Sequence, residues 1–317
     1  MNKEVIDFIN QNDNFIVTSH VSPDGDNVGS TLAMYYFLKD IGKKVYYVLD
    51  DVFPRNISFL VEGIEVLKSS DININSYNVI TLDCGDRRRI CIEESLILGA
   101  NKLINIDHHV SNDSFGDLNI VDGSCSSTCE LVYALLKDYE KDVINEKIAT
   151  ALYTGLITDT GNFMYSSTKG TSFLMAKDLL ERGAKKETII QNVFQSNSFA
   201  YYKLLGEALN SLECYEEKIS MITVTKDSME RHNISFSNCD GIASYTRDIE
   251  NIEVGVFIKQ KNTDEYKVSL RSKTYVDVSE ICKNLGGGGH KRASGCTLIG
   301  NLDEVKQTVL NEIKKYL

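Results

Sequence analysis

The chain has 317 residues, 42% hydrophobic and 25% charged, ordinary globular usage that excludes a disordered protein and, at roughly 150 residues per domain, leaves room for two domains. No apolar run reaches the roughly 18 residues of a membrane span. A net charge of −11, from 34 Lys and Arg against 45 Asp and Glu, excludes a non-specific coat on duplex nucleic acid, which needs a basic surface to displace counterions.

The N-terminus opens on an amphipathic stretch without the apolar core of a signal peptide, so a cytoplasmic protein is expected. A β-branched run predicts a strand over 15–18, followed by a helix over 28–41. Further strands are predicted over 44–49, 79–82, 103–106 and 118–121, and helices over 127–139 and 145–156. Strands alternating with helices indicate βαβ units. The prediction is an α/β protein whose N-terminal domain, 1–185, is a Rossmann-like parallel sheet with polar groups gathered at its strand ends. Residues 186–212 read as a helical connector. The stretch 213–317 reads as a smaller α/β domain, with strands over 219–224, 252–259 and 266–270 and helices over 278–285 and 304–317. The eight cysteines form no C-x-x-C pair and are expected as reduced, mostly buried thiols.

Chemistry concentrates where strands are expected to end. His20, Asp24 and Asp26 follow the first strand, with Pro23 and Gly25 predicting a tight, non-helical loop. By themselves these residues fit a cation site or a capped turn, with Ser30 as the cap. Asp83 ends the 79–82 strand and could bridge two cations. Of the arginines behind it, Arg89 could hold Asp86 or a phosphate, and Arg87 and Arg88 read as a solvated helix start. Asp107, His108 and His109 end the 103–106 strand; two adjacent imidazoles behind a carboxylate are hard to orient without partners. Asp159 ends a helix, where a carboxylate opposes the dipole unless a cation binds. In the second domain four glycines, 286–289, precede His290, and bare amides could approach an anion; the alternative is a hinge. Lys283, Lys291, Arg292, Arg271 and Lys273 supply a local basic cluster. Four of the five histidines lie in these clusters and only His232 stands apart. The tally points to two metal ions, roughly 3.5–4 Å apart, activating water for attack on phosphorus.

The pattern resembles the DHH phosphoesterases. His20-x-x-x-Asp24-x-Asp26, Asp83, Asp107-His108-His109 and Asp159 follow that family's four motifs in order and spacing, and 286–290 is similar to the signature of its DHH-associated C-terminal domain. Residues 269–273, and Ser126-Ser127-Thr128 with Glu130, are most similar to the stand-alone nanoRNase and pAp-phosphatase branch. Ser294 and Asn27-Val28 depart from the usual pattern at positions that are not ligands. The resemblance implies two Mn2+ ions, one on His20, Asp24 and Asp83 and the other on Asp26, Asp83, His108 and Asp159. It implies His109 at the scissile phosphate, Asp107 orienting an imidazole, and Arg89, Arg271, Lys273, Gly287, Gly288, Gly289 and His290 on the substrate. The implied activity is release of mononucleotides from short oligoribonucleotides, with 3′-phosphate removal from pAp-type bisphosphates. Neither duplex nucleic acid nor a membrane is an expected partner, and a homodimer is the candidate assembly. The competing readings are a phosphodiesterase for linear (pApA, pGpG) or cyclic dinucleotides, and a non-catalytic nucleotide sensor on the same scaffold.

Overall fold

The apolar runs of the first half become strands because both of their faces are covered. In the computed structural model, which describes residues 2–317, one unit, Met1–Ser196, contains α1 (Asn2–Gln11), β1 (Phe15–Ser19), α2 (Gly25–Asp40), β2 (Val45–Val48), β3 (Val66–Leu67), β4 (Asn78–Leu82), α3 (Glu94–Leu98), β5 (Leu103–Asp107), β6 (Leu118–Val121), α4 (Thr128–Lys137), α5 (Glu146–Asp159), α6 (Gly170–Glu181) and α7 (Lys186–Val193). Its six strands pair in the order β3-β2-β1-β4-β5-β6, all parallel. β1, β4 and β5 are buried throughout, which is why they read as continuous apolar runs rather than alternating ones. On one face Phe15, Val17, Ile80, Leu82 and Ile106 pack with Leu32, Leu135, Leu152 and Leu156. On the other, Ile16, Val79 and Leu103 pack with Tyr77, Ile90 and Ile97. The strand order reverses at β1, and ligands of such sheets bind at the carboxyl ends beside the reversal. His20 directly follows β1, Asp83 directly follows β4, and Asp107 is the last residue of β5.

Two local expectations are corrected. The non-helical segment after β1 is shorter than expected, residues 20–24 only: α2 already begins at Gly25, because Asp24 caps it. Asp24 Oδ1 accepts from the N–H groups of Asp26 (3.1 Å) and Asn27 (3.0 Å). Ser30 lies inside α2, its hydroxyl donating to the Asp26 carbonyl at 2.6 Å, and is not the cap.

α2 and α5 meet through glycines. A Cβ on Gly29 would fall 2.5 Å from the Ala151 carbonyl oxygen, and one on Gly155 would fall 2.3 Å from Cys129 Sγ and 2.7 Å from Asp26 Oδ1. That close approach brings Asp26, in the first turn of α2, near Asp159, the last residue of α5.

The other unit, Asn197–Leu317, contains α8 (Phe199–Asn210), β7 (Glu213–Tyr215), β8 (Ile219–Val224), α9 (Lys226–Arg231), α10 (Ala243–Arg247), β9 (Val254–Asn262), β10 (Glu265–Ser272), α11 (Val278–Asn284), β11 (Gly288–His290), β12 (Ala293–Ile299) and α12 (Leu302–Ile313). Its sheet runs β11-β12-β10-β9-β8-β7, antiparallel except for β8 with β9. Val256, Val268 and Leu270 pack with Ile281 and Val309 on one side, and Phe257 with Leu204 and Ile242 on the other. Of the stretch 186–212, α7 falls in the first unit and α8 in the second.

The glycine run is not a loop of bare amides. Its start closes α11, with Gly286 at φ +78° and the Gly287 N–H donating to the Cys282 carbonyl at 2.7 Å. Its end is the edge strand β11, where Gly288 pairs with Gly295 and His290 with Ala293. A Cβ at Gly287 would lie 2.2 Å from the Gly295 carbonyl oxygen, so the close pairing itself demands glycine there. An edge strand still points alternate backbone groups away from its partner. Among the described residues no helix is long and apolar enough to cross a membrane, and all eight cysteines are free, six of them buried.

Candidate metal centre

The strand ends and two helix termini of the first unit converge on Asp83. His20 Nε2 lies 3.4 Å from Asp83 Oδ2 and 3.7 Å from Asp24 Oδ2. His108 Nε2 lies 3.3 Å from Asp159 Oδ2, 3.6 Å from Asp83 Oδ1 and 3.9 Å from Asp26 Oδ2. His109 Nδ1 lies 3.7 Å from Asp83 Oδ1. Asp83 therefore turns one oxygen toward His20 and the other toward His108 and His109. Three sets of side chains bring ligand atoms within 4.8 Å of one another: His20, Asp24 and Asp83; Asp26, His108 and Asp159; Asp83, His108 and His109. Every residue anticipated as a metal ligand is in these sets.

The backbone aims each group. Asp83 has φ +56°, a left-handed conformation that a side chain rarely adopts and that recurs at functional sites. His20 Nδ1 lies 2.7 Å from the Val21 carbonyl and His108 Nδ1 3.3 Å from the Cys125 carbonyl. An Nδ1–H donated to a carbonyl leaves Nε2 as the lone pair facing the carboxylates, the tautomer of a metal-binding histidine. His109 is held differently. Its Nδ1 is 2.6 Å from Oδ1 of the fully buried Asp107, whose Oδ2 accepts from Asn112 Nδ2 at 2.6 Å. A Cβ at Gly85 would fall 2.9 Å from the Cβ of His109, so glycine leaves the room that this ring needs.

The start of α4 plays a part that motif reading missed. The N–H groups of Thr128 (2.6 Å) and Cys129 (2.9 Å) donate to the two oxygens of Asp26, and the Thr128 hydroxyl donates to Asp83 Oδ1 at 2.9 Å. Ser127 caps the helix, accepting from the Glu130 N–H at 3.2 Å. Ser127-x-x-Glu130 was the legible signal. Glu130 reaches back one residue further, however, accepting from the N–H (3.0 Å) and hydroxyl (2.9 Å) of Ser126 and from the Ser172 hydroxyl (2.5 Å).

Crowding shows in the protonation equilibria. Burial and the charge of Asp83 push Asp26 up to about 7. Burial, with Asp26 and Asp83 beside it, raises Asp159 well above the ordinary carboxylate range. Burial also opposes the charge on Asp83, but His20, His108 and His109 outweigh it and hold that carboxyl low. Burial opposes the charge on His20 as well, yet Asp83 and Asp24 raise it to about 9. Carboxylates packed this closely must bind protons or cations. Oxygen and imidazole donors together suit divalent cations, so the residues fit a metal centre.

The remaining anticipated residues divide. Asp86 is held by Arg88, Nη2 to Oδ2 at 2.5 Å, and not by Arg89, because a 3-10 turn over 87–89 capped by Asp86 folds Arg88 back onto its cap. Arg89 is exposed. In the second unit Arg271, one residue before the end of β10, lies opposite Gly255 of β9 and Ala293 of β12, with Nη1 3.0 Å from the Leu270 carbonyl. Lys273 Nζ donates to the Ile249 carbonyl at 2.6 Å. Gly287, Gly288, Gly289 and His290 lie along β11 and its approach. Arg292 leaves the expected basic cluster: its guanidinium is spent on the carbonyls of Val276 (2.8 Å) and Thr274.

Comparison with known proteins identifies the family. Residues 14–156 match the N-terminal domain of the DHH family, and residues 219–317 match the DHHA1 domain. The chain is 32% identical over 305 residues to the bifunctional oligoribonuclease and PAP phosphatase NrnA of Thermus thermophilus, covering 95% of this chain and 89% of the relative. It is 27% identical over 301 residues to the NrnA protein of the same description from Bacillus subtilis, covering 94% and 93%. The crystal structure of an exopolyphosphatase-related protein from Bacteroides fragilis matches with a TM-score of 0.90 at 26% identity, covering 99% of this chain and 96% of that one. A parallel sheet with this cluster at its strand ends, followed by a DHHA1 domain, defines a phosphoester hydrolase. The chain belongs to the DHH family.

Proposed function

We propose that this chain is a manganese-dependent phosphodiesterase that degrades oligoribonucleotides of a few residues to mononucleotides and removes the 3′-phosphate of pAp. The observation that carries the reading is Asp83, whose two oxygens face different imidazoles at 3.4 Å and 3.6 Å, the disposition of a carboxylate shared by two cations. The similarity to oligoribonuclease and PAP phosphatase relatives, extending over 94–95% of this chain, supports the substrate class. The net charge of −11 supports a substrate with few phosphates, since a long strand needs an extended basic groove.

In this reading His20, Asp24 and Asp83 hold one ion, and Asp26, Asp83, His108 and Asp159 the other. Bound ions of this kind lower the pKa of water and offset charge at phosphorus. Asp107 keeps the proton on Nδ1 of His109, so Nε2 is the nitrogen that carries a proton to the departing oxygen. Asn112 and the His109 N–H hold Asp107 in that task. Arg271, Lys273, the backbone groups that edge strand β11 turns away from β12 and His290 are the candidate phosphate contacts in the second unit, and Arg89 is a candidate phosphate contact in the first.

The test is a labelled dinucleotide incubated with protein and Mn2+. Mononucleotide release by the wild type and its loss in Asp83→Ala are expected. No release, or equal release by both, overturns the reading and favours the non-catalytic sensor. Parallel reactions with pAp, pApA and a cyclic dinucleotide rank the substrates, and faster turnover of the cyclic form would favour the signalling-nucleotide reading instead.

A further inference from the structure

Between the end of β10 at Ser272 and the start of α11 at Val278 the chain makes a turn, residues 273–277, whose backbone is held from two sides. On one side stands Glu253, only 4% exposed. Its carboxylate accepts from three successive N–H groups, Thr274 (3.1 Å), Tyr275 (2.8 Å) and Val276 (2.9 Å), and from the Thr274 hydroxyl (2.5 Å). On the other side Arg292 donates to the carbonyls of Thr274 and Val276. The Ser272 N–H donates to the Arg292 carbonyl at 3.1 Å, and the Val278 N–H to the Lys291 carbonyl at 3.0 Å.

A surface turn ordinarily leaves its polar backbone to water. Here a buried carboxylate takes the amides and a guanidinium takes the carbonyls, so the turn has little freedom left. Burial works against the charge of Glu253, but its donors outweigh burial and hold the carboxyl below its ordinary range. The clamp also joins two segments: Arg271 leads into the turn, and Lys291 and Arg292 directly follow His290. Lys273 is tied in as well, its N–H donating to the Glu253 carbonyl at 2.9 Å.

We propose that Glu253 and Arg292 are positioning residues for substrate binding, fixing Arg271 and Lys273 in register with His290 so that a nucleotide's non-scissile phosphate meets a preformed set of donors. The inference rests on the proposed role of Arg271 in phosphate binding. Preorganised donors are expected to act on KM, because loosening them costs binding rather than the chemical step.

The experiment compares Glu253→Gln and Arg292→Lys in the full-length protein loaded with Mn2+. One substrate is pApA; the other is bis(p-nitrophenyl) phosphate, which has no second phosphate. Either variant is expected to raise KM for pApA about tenfold, with kcat and the turnover of the small diester each changed less than twofold. Arg292→Lys keeps the charge and removes only the fork, so it reads the clamp even if Glu253→Gln fails to fold. Parallel losses on both substrates, or an unchanged KM for pApA in a folded variant, overturn the proposal. Arg271→Ala separates the two claims: an unchanged KM there overturns the phosphate-binding role itself, whereas a raised KM in Arg271→Ala alone overturns only the positioning role.

Discussion

The hydroxyl of Thr128 donates to Oδ1 of Asp83 at 2.9 Å, tying the first residue of α4 to the carboxylate on which three imidazoles converge. The amides of Thr128 and Cys129 meanwhile hold Asp26. One helix start thus orients two candidate ligands, and its dipole favours the negative charge that they carry. Thr128→Val keeps shape and branching but removes the donor. Loss of such a supporting contact costs about 10–100-fold in metal affinity or activity. A Mn2+ titration should show weakening of that order in Thr128→Val and near-complete recovery in Thr128→Ser; equal affinities in all three proteins would sink the role.

Gly155 sets how closely α5 approaches α2 and α4. A Cβ there would meet Cys129 Sγ at 2.3 Å and Asp26 Oδ1 at 2.7 Å, neither of which has room to retreat. Gly155→Ala should lower unfolding free energy by about 1–3 kcal/mol, the usual cost of overpacking, despite alanine's better helix propensity. Urea denaturation checks the sign, and an unchanged or raised midpoint contradicts the packing account. Because Asp26 is displaced, metal affinity should fall with stability.

Asp107 and His109 form a pair at 2.6 Å. Asp107→Asn keeps the volume but cannot hold a proton on Nδ1 in the same way. Steady-state kinetics should show kcat reduced by about 100-fold or more, as orienting carboxylates of catalytic histidines typically require. Bound metal, measured by elemental analysis, should be little changed. A variant that retains kcat would show that His109 needs no fixed tautomer.

The pH dependence follows from two groups. Asp26, raised from 3.8 to about 7, binds its proton more tightly in the metal-free fold, so its contribution to stability declines as pH climbs from about 4 to about 7. His20, raised from 6.5 to about 9, stabilises fully below 6.5 and loses that contribution by about 9. Asp83 is held low and works in the opposite direction, but only at more acid pH. The metal-free contribution of this site should therefore fall between pH 4 and 9. Mn2+ displaces both protons, so its affinity should rise across pH 6–9 with proton release. Calorimetry in buffers of different ionisation enthalpy reads that release directly, and an affinity independent of pH would contradict the assignment of His20 and Asp26 as ligands.

How much of this was legible in the sequence depended on the range of the forces involved. β4 and β5 were visible as apolar runs because both their faces are buried, and the polar residue after each run marked its carboxyl end, so Asp83, Asp107 and His108 could be placed before any coordinates. The start of α2 lies three residues before the predicted one because Asp24, a candidate ligand, is also the helix cap. The glycines at 286–289 carry no side-chain alternation, so the edge strand β11 leaves no periodic trace.

By itself the chain's order of residues determined the alternation of strands and helices, and hence that a handful of carboxylates and imidazoles would gather at the carboxyl ends of the strands. The tertiary structure alone decided how those groups are aimed. The donors that hold Asp83 and Asp26 come from 45, 102 and 103 positions away, and Asp86 finds Arg88 rather than Arg89 only once the chain has turned. Hydrogen bonds act over about 3 Å in space, and only packing decides which distant backbone amide arrives within that distance.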